Sequence, residues 1–253
     1  MHQRLLDLIL YKTYAELKFE AQRTYVGVLW WIFEPIMFML IFYFVFAVVF
    51  ERGTENFVPF LLIGLTAFHW LQSTVTQASW AIISNRPLIQ QVHVPKFVFP
   101  TVVVLSTTAK FAIVFCLLLI YLVVYGIPVA WEWLYSLVCL ANMLLLTTGM
   151  AFLASSVTPF VPDIRILIDN GFRGLFFLSG IFYEISSLPP GLAEWLRLNP
   201  IALVIEDLRD ALLYHQEPVW TNEATVALLG LSLGAIGLTV MHLNDHRYVK
   251  VTV

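Results

Sequence analysis

Apolar runs long enough to cross a lipid bilayer recur along the whole chain, and they leave few architectures open. A transmembrane helix needs about 20 predominantly apolar residues. Stretches of that kind cover residues 28–50, 58–83, 97–125, 133–157, 164–183 and 224–242. Of the 253 residues 60% are hydrophobic and only 12% charged, against roughly 25% charged in an average soluble domain. Mean hydropathy is +0.82, so the solvent for most side chains is lipid or other helices. The expectation is an all-α polytopic membrane protein, a single transmembrane domain over 1–253 with six transmembrane helices.

Breakers separate the spans. Glu51 to Asn56 form a polar turn, Gly126-Ile127-Pro128 ends the third span, and Pro159 with Pro162 ends the fourth. The fifth must stop by Tyr183, because Pro189-Pro190-Gly191 and Asn199-Pro200 interrupt the pattern beyond it. Between 184 and 222 the apolar stretches 188–198 and 201–213 are too short to span and predict two short re-entrant outer helices before the last span. Ahead of the first span, Leu6, Leu10, Leu17 and Ala21 share one helical face, with Lys12, Glu16 and Glu20 on another. That predicts an amphipathic interface helix within residues 1–27. The same stretch mixes charge through its apolar positions, so no cleaved signal peptide is expected.

Lysine and arginine set the orientation. With both termini cytoplasmic, the inside carries Arg4, Lys12, Lys18, Arg23, Arg86, Lys96, Arg165, Arg247 and Lys250, while the outside carries Arg52, Arg197 and Arg209. A net charge of −3 shows no basic surplus for nucleic acid. Cys116 and Cys139 lie inside apolar runs with no metal-ligand spacing, and no metal or catalytic group is expected. The P-loop string G-x-x-x-x-G-K-[ST] is missing, so any ATP and Mg2+ chemistry belongs to a partner.

Several polar features remain. Residues 84–96 predict a short cytoplasmic helix whose Leu88, Ile89 and Val92 share a face, either a docking surface for another protein or an ordinary lipid-packed connection. His69, Gln72, Ser73, Thr76 and Gln77 form a hydrophilic stripe on the second span, serving interhelical bonding or a water-filled path. Arg165, Asp169 and Arg173 step by four along the fifth span, a plus, minus, plus ladder that either compensates itself or lines a path. Lys110, near the middle of the third span, has no carboxylate three or four residues away, so its partner comes from another helix. Phe38, Phe42, Phe46 and Phe50 make an aromatic rail ~18 Å long at about 1.5 Å per residue. Phe172, Phe176 and Tyr183 add aromatic surface suited to sugar rings, or to packing. Gly230-Leu231-Ser232-Leu233-Gly234 matches the G-x-S-x-G string of serine hydrolases, but within an apolar helix its glycines form a G-x-x-x-G packing face.

The run Arg23 to Pro35, with Gly27, Trp30 and Trp31, resembles the signature that opens the first span in permease subunits of ABC exporters for bacterial surface polysaccharides, the type-2 ABC permease family. Asn85 to Lys96 resembles the coupling helix of that family, and Phe177 to Tyr183 followed by Asn199-Pro200 and Arg209 resembles its fifth span and outer gate. The resemblance implies a homodimer in the bacterial cytoplasmic (inner) membrane, bound to two copies of a separate ATP-binding subunit. Its cargo would be a lipid-linked polysaccharide of O-antigen, capsule or teichoic-acid type. It implies that Leu88, Ile89, Val92 and His93 meet the ATPase, that Trp31, Phe38, Phe42, Phe46, Phe176 and Tyr183 line the conduit, and that 184–222 gates its outer mouth. His69, Ser73, Gln77, Lys110, Arg165, Asp169 and Arg173 then serve the path or the helix contacts. The rivals are an ABC permease for a drug or small lipid, an intramembrane serine hydrolase acting through Ser232, and an ion-coupled transporter using Lys110.

Overall fold

The computed structural model describes residues 2–23, 29–30, 33, 36–37, 40–41, 44–45, 56–92 and 94–251. Among them the regular structure is entirely helical: α1 (His2–Arg23), α2 (Phe57–Ser79), α3 (Ala81–Ser84), α4 (Arg86–Gln91), α5 (Val98–Tyr125), α6 (Tyr135–Val157), α7 (Ile164–Leu178), α8 (Pro190–Leu196), α9 (Pro200–Arg209), α10 (Trp220–Leu243) and α11 (Asp245–Val251). A 3-10 turn, Trp131–Leu134, leads into α6, and a π turn, Asp210–Tyr214, extends α9.

Among the described residues four helices are long and apolar enough to cross a membrane: α2, α5, α6 with its leading turn, and α10. They coincide with the expected second, third, fourth and sixth spans. The expected first span lies largely outside the described residues, and with it Trp31, Phe38, Phe42 and Phe46; His93 lies outside them too. The expected fifth span is helical only as α7, whose 15 residues reach about 22 Å at 1.5 Å per residue, short of the ~30 Å hydrocarbon core. The helix stops because Gly180, just past its cap, takes φ +66°, a left-handed turn that a side chain would resist.

Burial shows which helix is central. In α2, 83% of the apolar window is buried, against 22–39% in the other three spans. It packs on α5, α6 and α9, and the largest hydrophobic cluster forms around Leu61, Phe68 and Leu71 of this helix. Beside it α9 is capped by the Asn199 side chain, which accepts from Ile201 N at 3.0 Å, and opens on Pro200 in its first turn. From Ile201 to Arg209 only Glu206 is less than fully buried, and the helix is wedged among α2, α6 and α10. A short helix buried all round belongs inside the bundle.

The most intimate crossing is α6 with α10. A Cβ added at Gly230 would lie 2.6 Å from the backbone of Leu145 and Leu146, and one at Gly237 2.7 Å from that of Phe152 and Leu153. Small residues are what allow two helix backbones to approach this closely. Ser232 is on the other side, exposed, its hydroxyl donating to Leu228 O one turn back. The Gly230 to Gly234 string is therefore a packing seam, and Ser232 sits away from it.

Helix α1 runs alongside α5. Lys12 Nζ lies 4.5 Å from the Phe99 ring centroid, and further along both helices Glu20 receives Lys110 Nζ at 2.8 and 3.0 Å. Leu5, Leu8 and Ile9 face the protein, while Leu6, Leu10, Tyr11, Tyr14 and Phe19 are exposed.

Candidate functional site

The polar stripe of α2 is covered on one side by α7, which runs antiparallel to it. Three contacts at successive levels set the register: the His69 and Phe176 rings lie 6.3 Å apart, Thr76 Oγ1 donates to Asp169 Oδ1 at 3.2 Å, and the Arg165 guanidinium lies 4.9 Å from the Trp80 ring centroid. Each step forward on α2 matches an equal step back on α7. The stripe and the charged ladder, more than eighty residues apart in sequence, thus form one wall.

The ladder bonds outward along its length. Arg165 rests on Trp80, Asp169 accepts from Thr76, and Arg173 Nη1 donates to Asn170 Oδ1 at 3.5 Å. Among the described residues no ion pair forms within the ladder itself. Ser73 and Gln77 are exposed, with Gln77 Nε2 donating to Ser73 Oγ at 2.7 Å, and Arg173 of α7 is exposed as well. An otherwise buried transmembrane helix with hydrophilic groups left open on one side requires water or another chain there. Phe176 joins Phe68, Phe177 and Phe182 in edge-to-face contacts of 5.4, 5.4 and 5.1 Å at one end of this wall. Tyr183 folds back over it, donating to Phe177 O at 2.8 Å.

Arg209 anchors that end. Its guanidinium is buried and donates to three carbonyls: Nε to Phe60 O at 3.0 Å, Nη1 to Gly180 O at 2.7 Å and Nη2 to Ile181 O at 2.9 Å. The charge also lies 3.4 Å from the Phe60 ring centroid. One side chain of α9 therefore ties α2 to the turn after α7. A pocket of about 270 Å³ opens beside it, lined by Glu184, Glu206, Asp210 and Tyr214 among others. Burial, with Glu206 beside it, pushes the Asp210 carboxyl up to about 6.

A buried acidic pair lies deeper and was missed by sequence reasoning. Asp207 of α9 is 1% exposed and Glu223 of α10 is 2% exposed. Asp207 Oδ1 accepts from Val219 N at 3.1 Å, and Glu223 accepts from Asn142 of α6. Burial raises the Asp207 carboxyl, and Glu223 and Asp210 add to the effect, since adjoining negative charges cannot both persist out of water. The available signal was an aspartate inside the apolar run 201–213, read there only as part of a short outer helix.

At the opposite end of the bundle, α4 ends at Gln91 and Val92 is already extended (φ −137°, ψ 136°). Packing splits the expected face: Ile89 is buried among Ile9, Ile82, Val94 and Phe99, whereas Leu88 and Val92 are 36% and 54% exposed. Lys12 of α1 donates to Asn85 Oδ1 at the start of this helix. Lys110 of α5 is held by Glu20 of α1.

The family model of ABC-2 type transporters matches residues 9–213. The chain is 24% identical over 251 residues to the O-antigen export system permease protein RfbA of Klebsiella pneumoniae, covering 98% of this chain and 95% of that one. It is 26% identical over 220 residues to the protein of the same name from Myxococcus xanthus, covering 86% and 84%. Similarity to the polysialic acid transport protein KpsM of Escherichia coli is 26% over 226 residues, covering 83% of each chain.

Proposed function

The chain belongs to the ABC-2 type transporter family, as a multi-pass membrane transport subunit, and on that premise we propose that it is the permease of an ATP-driven exporter of lipid-linked polysaccharide. The observation that carries the reading is likeness over 98% of the chain to a permease named for O-antigen export and over 83% to a protein named for polysialic acid transport. The cargo is an O-antigen or capsule type chain, and the membrane is the bacterial cytoplasmic one. Both termini are cytoplasmic, six segments enter the membrane with the short α7 as the fifth, and α8 with α9 form a re-entrant outer gate.

Two copies of the chain face each other across their α2 and α7 walls, each bound to a separate ATP-binding subunit that holds ATP and Mg2+. Sugar rings present apolar C–H faces and hydroxyl edges, which suit the aromatic cluster around Phe176 and the polar groups of Ser73, Gln77 and Arg173. Closure of the ATPase pushes on Leu88 and Val92, the large apolar side chains left exposed among the described residues of this segment. The push shifts the bundle between two arrangements, and the ATPase biases that equilibrium only through contacts that differ between them.

The test is the double variant Leu88→Asp, Val92→Asp, reconstituted with its ATPase. Both side chains are exposed, so insertion and folding are expected to survive while ATP turnover is no longer matched by export. Undiminished export would remove the coupling role. Polysaccharide movement by the wild-type permease with no ATPase present would remove the reading altogether.

A further inference from the structure

Helix α4 has six residues, and Val92, the residue that follows it, is already extended. So short a helix on so open a connection would swivel under load unless other elements brace it. On one side α1 holds it through Lys12 and Asn85. On the other side the brace is α11, which packs against α4 and carries two buried attachments.

The first is Lys96, in the connection between α4 and α5. It is 2% exposed, donates to Val94 O at 3.1 Å and pairs with Asp245 Oδ1 at 3.4 Å. A buried ammonium is costly unless it is paired and hydrogen-bonded, so this contact holds the connection at one place on α11. The second is Tyr248, fully buried, whose hydroxyl donates to Ser156 O at 2.7 Å and whose ring lies 4.9 Å from that of Phe160. Ser156 O belongs to the last turn of α6, where carbonyls have no partner within their own helix. Asp245 and Tyr248 are three residues apart and so occupy one face of α11.

We propose that α11 is a transmission strap, with Lys96, Asp245 and Tyr248 as positioning residues that pass displacement of α4 to the end of α6. From there the segment carrying Phe160 leads directly into α7 and its charged wall. Resting on the reading that Leu88 and Val92 meet an ATPase, the strap adds the route by which their movement reaches the polar wall. Lys96 and Tyr248 are buried within the permease, so the effect to look for is in coupling and not in either half-reaction.

The experiment measures ATP hydrolysis and polysaccharide export in the same vesicles containing the permease with its ATPase. Tyr248→Phe keeps the ring against Phe160 and removes only the hydroxyl bond; Lys96→Met removes the ion pair. Each is expected to lower export per ATP by about threefold or more, the scale on which residues along a coupling route act, at wild-type hydrolysis and Tm. Lys96→Arg, which keeps the charge, is expected to restore the ratio. The double variant is expected to fall no further than either single one, because the contacts act in series. An unchanged ratio in both single variants overturns the strap, as does a proportional loss of hydrolysis and export with a lowered Tm. If the wild-type complex exports and the variants stay coupled, only the strap fails; if the wild type shows no ATP-dependent export, the parent reading fails and takes the strap with it.

Discussion

Gly64 of α2 is the position from which the Arg209 anchor is most sharply tested. A methyl group there would lie 2.5 Å from Nη2 and 3.3 Å from Cζ of Arg209. The end of an arginine ordinarily moves aside, but this one is held by three carbonyls, with Nη2 only 2.9 Å from Ile181 O. Relieving the overlap takes a shift of about 1 Å, which carries the shortest affected bond beyond the ~3.2 Å limit of a good N–H···O contact. Hydrogen bonds to charged groups contribute about 1.5–3 kcal/mol each. Gly64→Ala should therefore destabilise the protein by about 1.5–3 kcal/mol, an apparent Tm drop of about 3–12 °C at this chain length. The decisive assay is a double-mutant cycle on detergent-solubilised protein by thermal unfolding. In an Arg209→Ala background the clashing atoms are gone and the glycine change should cost little, leaving a coupling of about 1.5 kcal/mol or more. Additivity within about 0.5 kcal/mol would mean that the two residues act independently and would refute the assigned role.

Further outcomes are expected elsewhere. Gly230→Ala should cost about 1–3 kcal/mol or more in thermal unfolding, since the added carbon meets backbone that cannot step aside; Gly234→Ala, whose nearest neighbour would be 3.6 Å away, should be near neutral. The raised Asp207 carboxyl makes its contribution to stability complete below the ordinary aspartate value near 4 and lost as pH rises through about 7. Tm should thus fall across that window, and Asp207→Asn should flatten the profile; an unaltered slope would remove Asp207 as its source. Phe176→Ala should lower export more than Tm if the aromatic cluster serves cargo, and a matched loss of both would return it to packing. Glu20→Gln should loosen α1 from α5, read as faster amide exchange along α1, and unchanged exchange would show that the Lys110 contact does not hold it.

Much of the fold was legible because the relevant forces act along the chain. Hydropathy over about twenty residues marks a helix that lipid stabilises, whatever its neighbours, and the four described long spans lie where it points. The breakers were equally readable: Gly126 takes φ +107° at the end of α5, and Asn199-Pro200 opens α9 as a side-chain cap with proline behind it. The glycine seam of α10 was readable too, since lack of a side chain is the property that matters there. The early stop of α7 was less so, because a left-handed turn at Gly180 competes with an apolar run that continues past it.

Partnerships were another matter. The four-residue spacing of Arg165, Asp169 and Arg173 suggested mutual compensation, yet Arg165 and Asp169 meet Trp80 and Thr76 once α2 lies alongside, and Arg173 bonds Asn170 of its own helix. Spacing shows which side chains share a face and not what approaches that face. Lys110 announced that it needed a carboxylate from another helix, but only the path of α1 along α5 identified Glu20. Arg209 is the extreme case, because its partners are backbone carbonyls of Phe60, Gly180 and Ile181. Every residue has a carbonyl, so no letter in a sequence marks the three that a folded bundle turns toward one buried charge. The amino-acid order by itself decided where this chain crosses the bilayer and where it turns; which polar groups meet was decided only when the helices packed, since that depends on distances between segments remote along the chain.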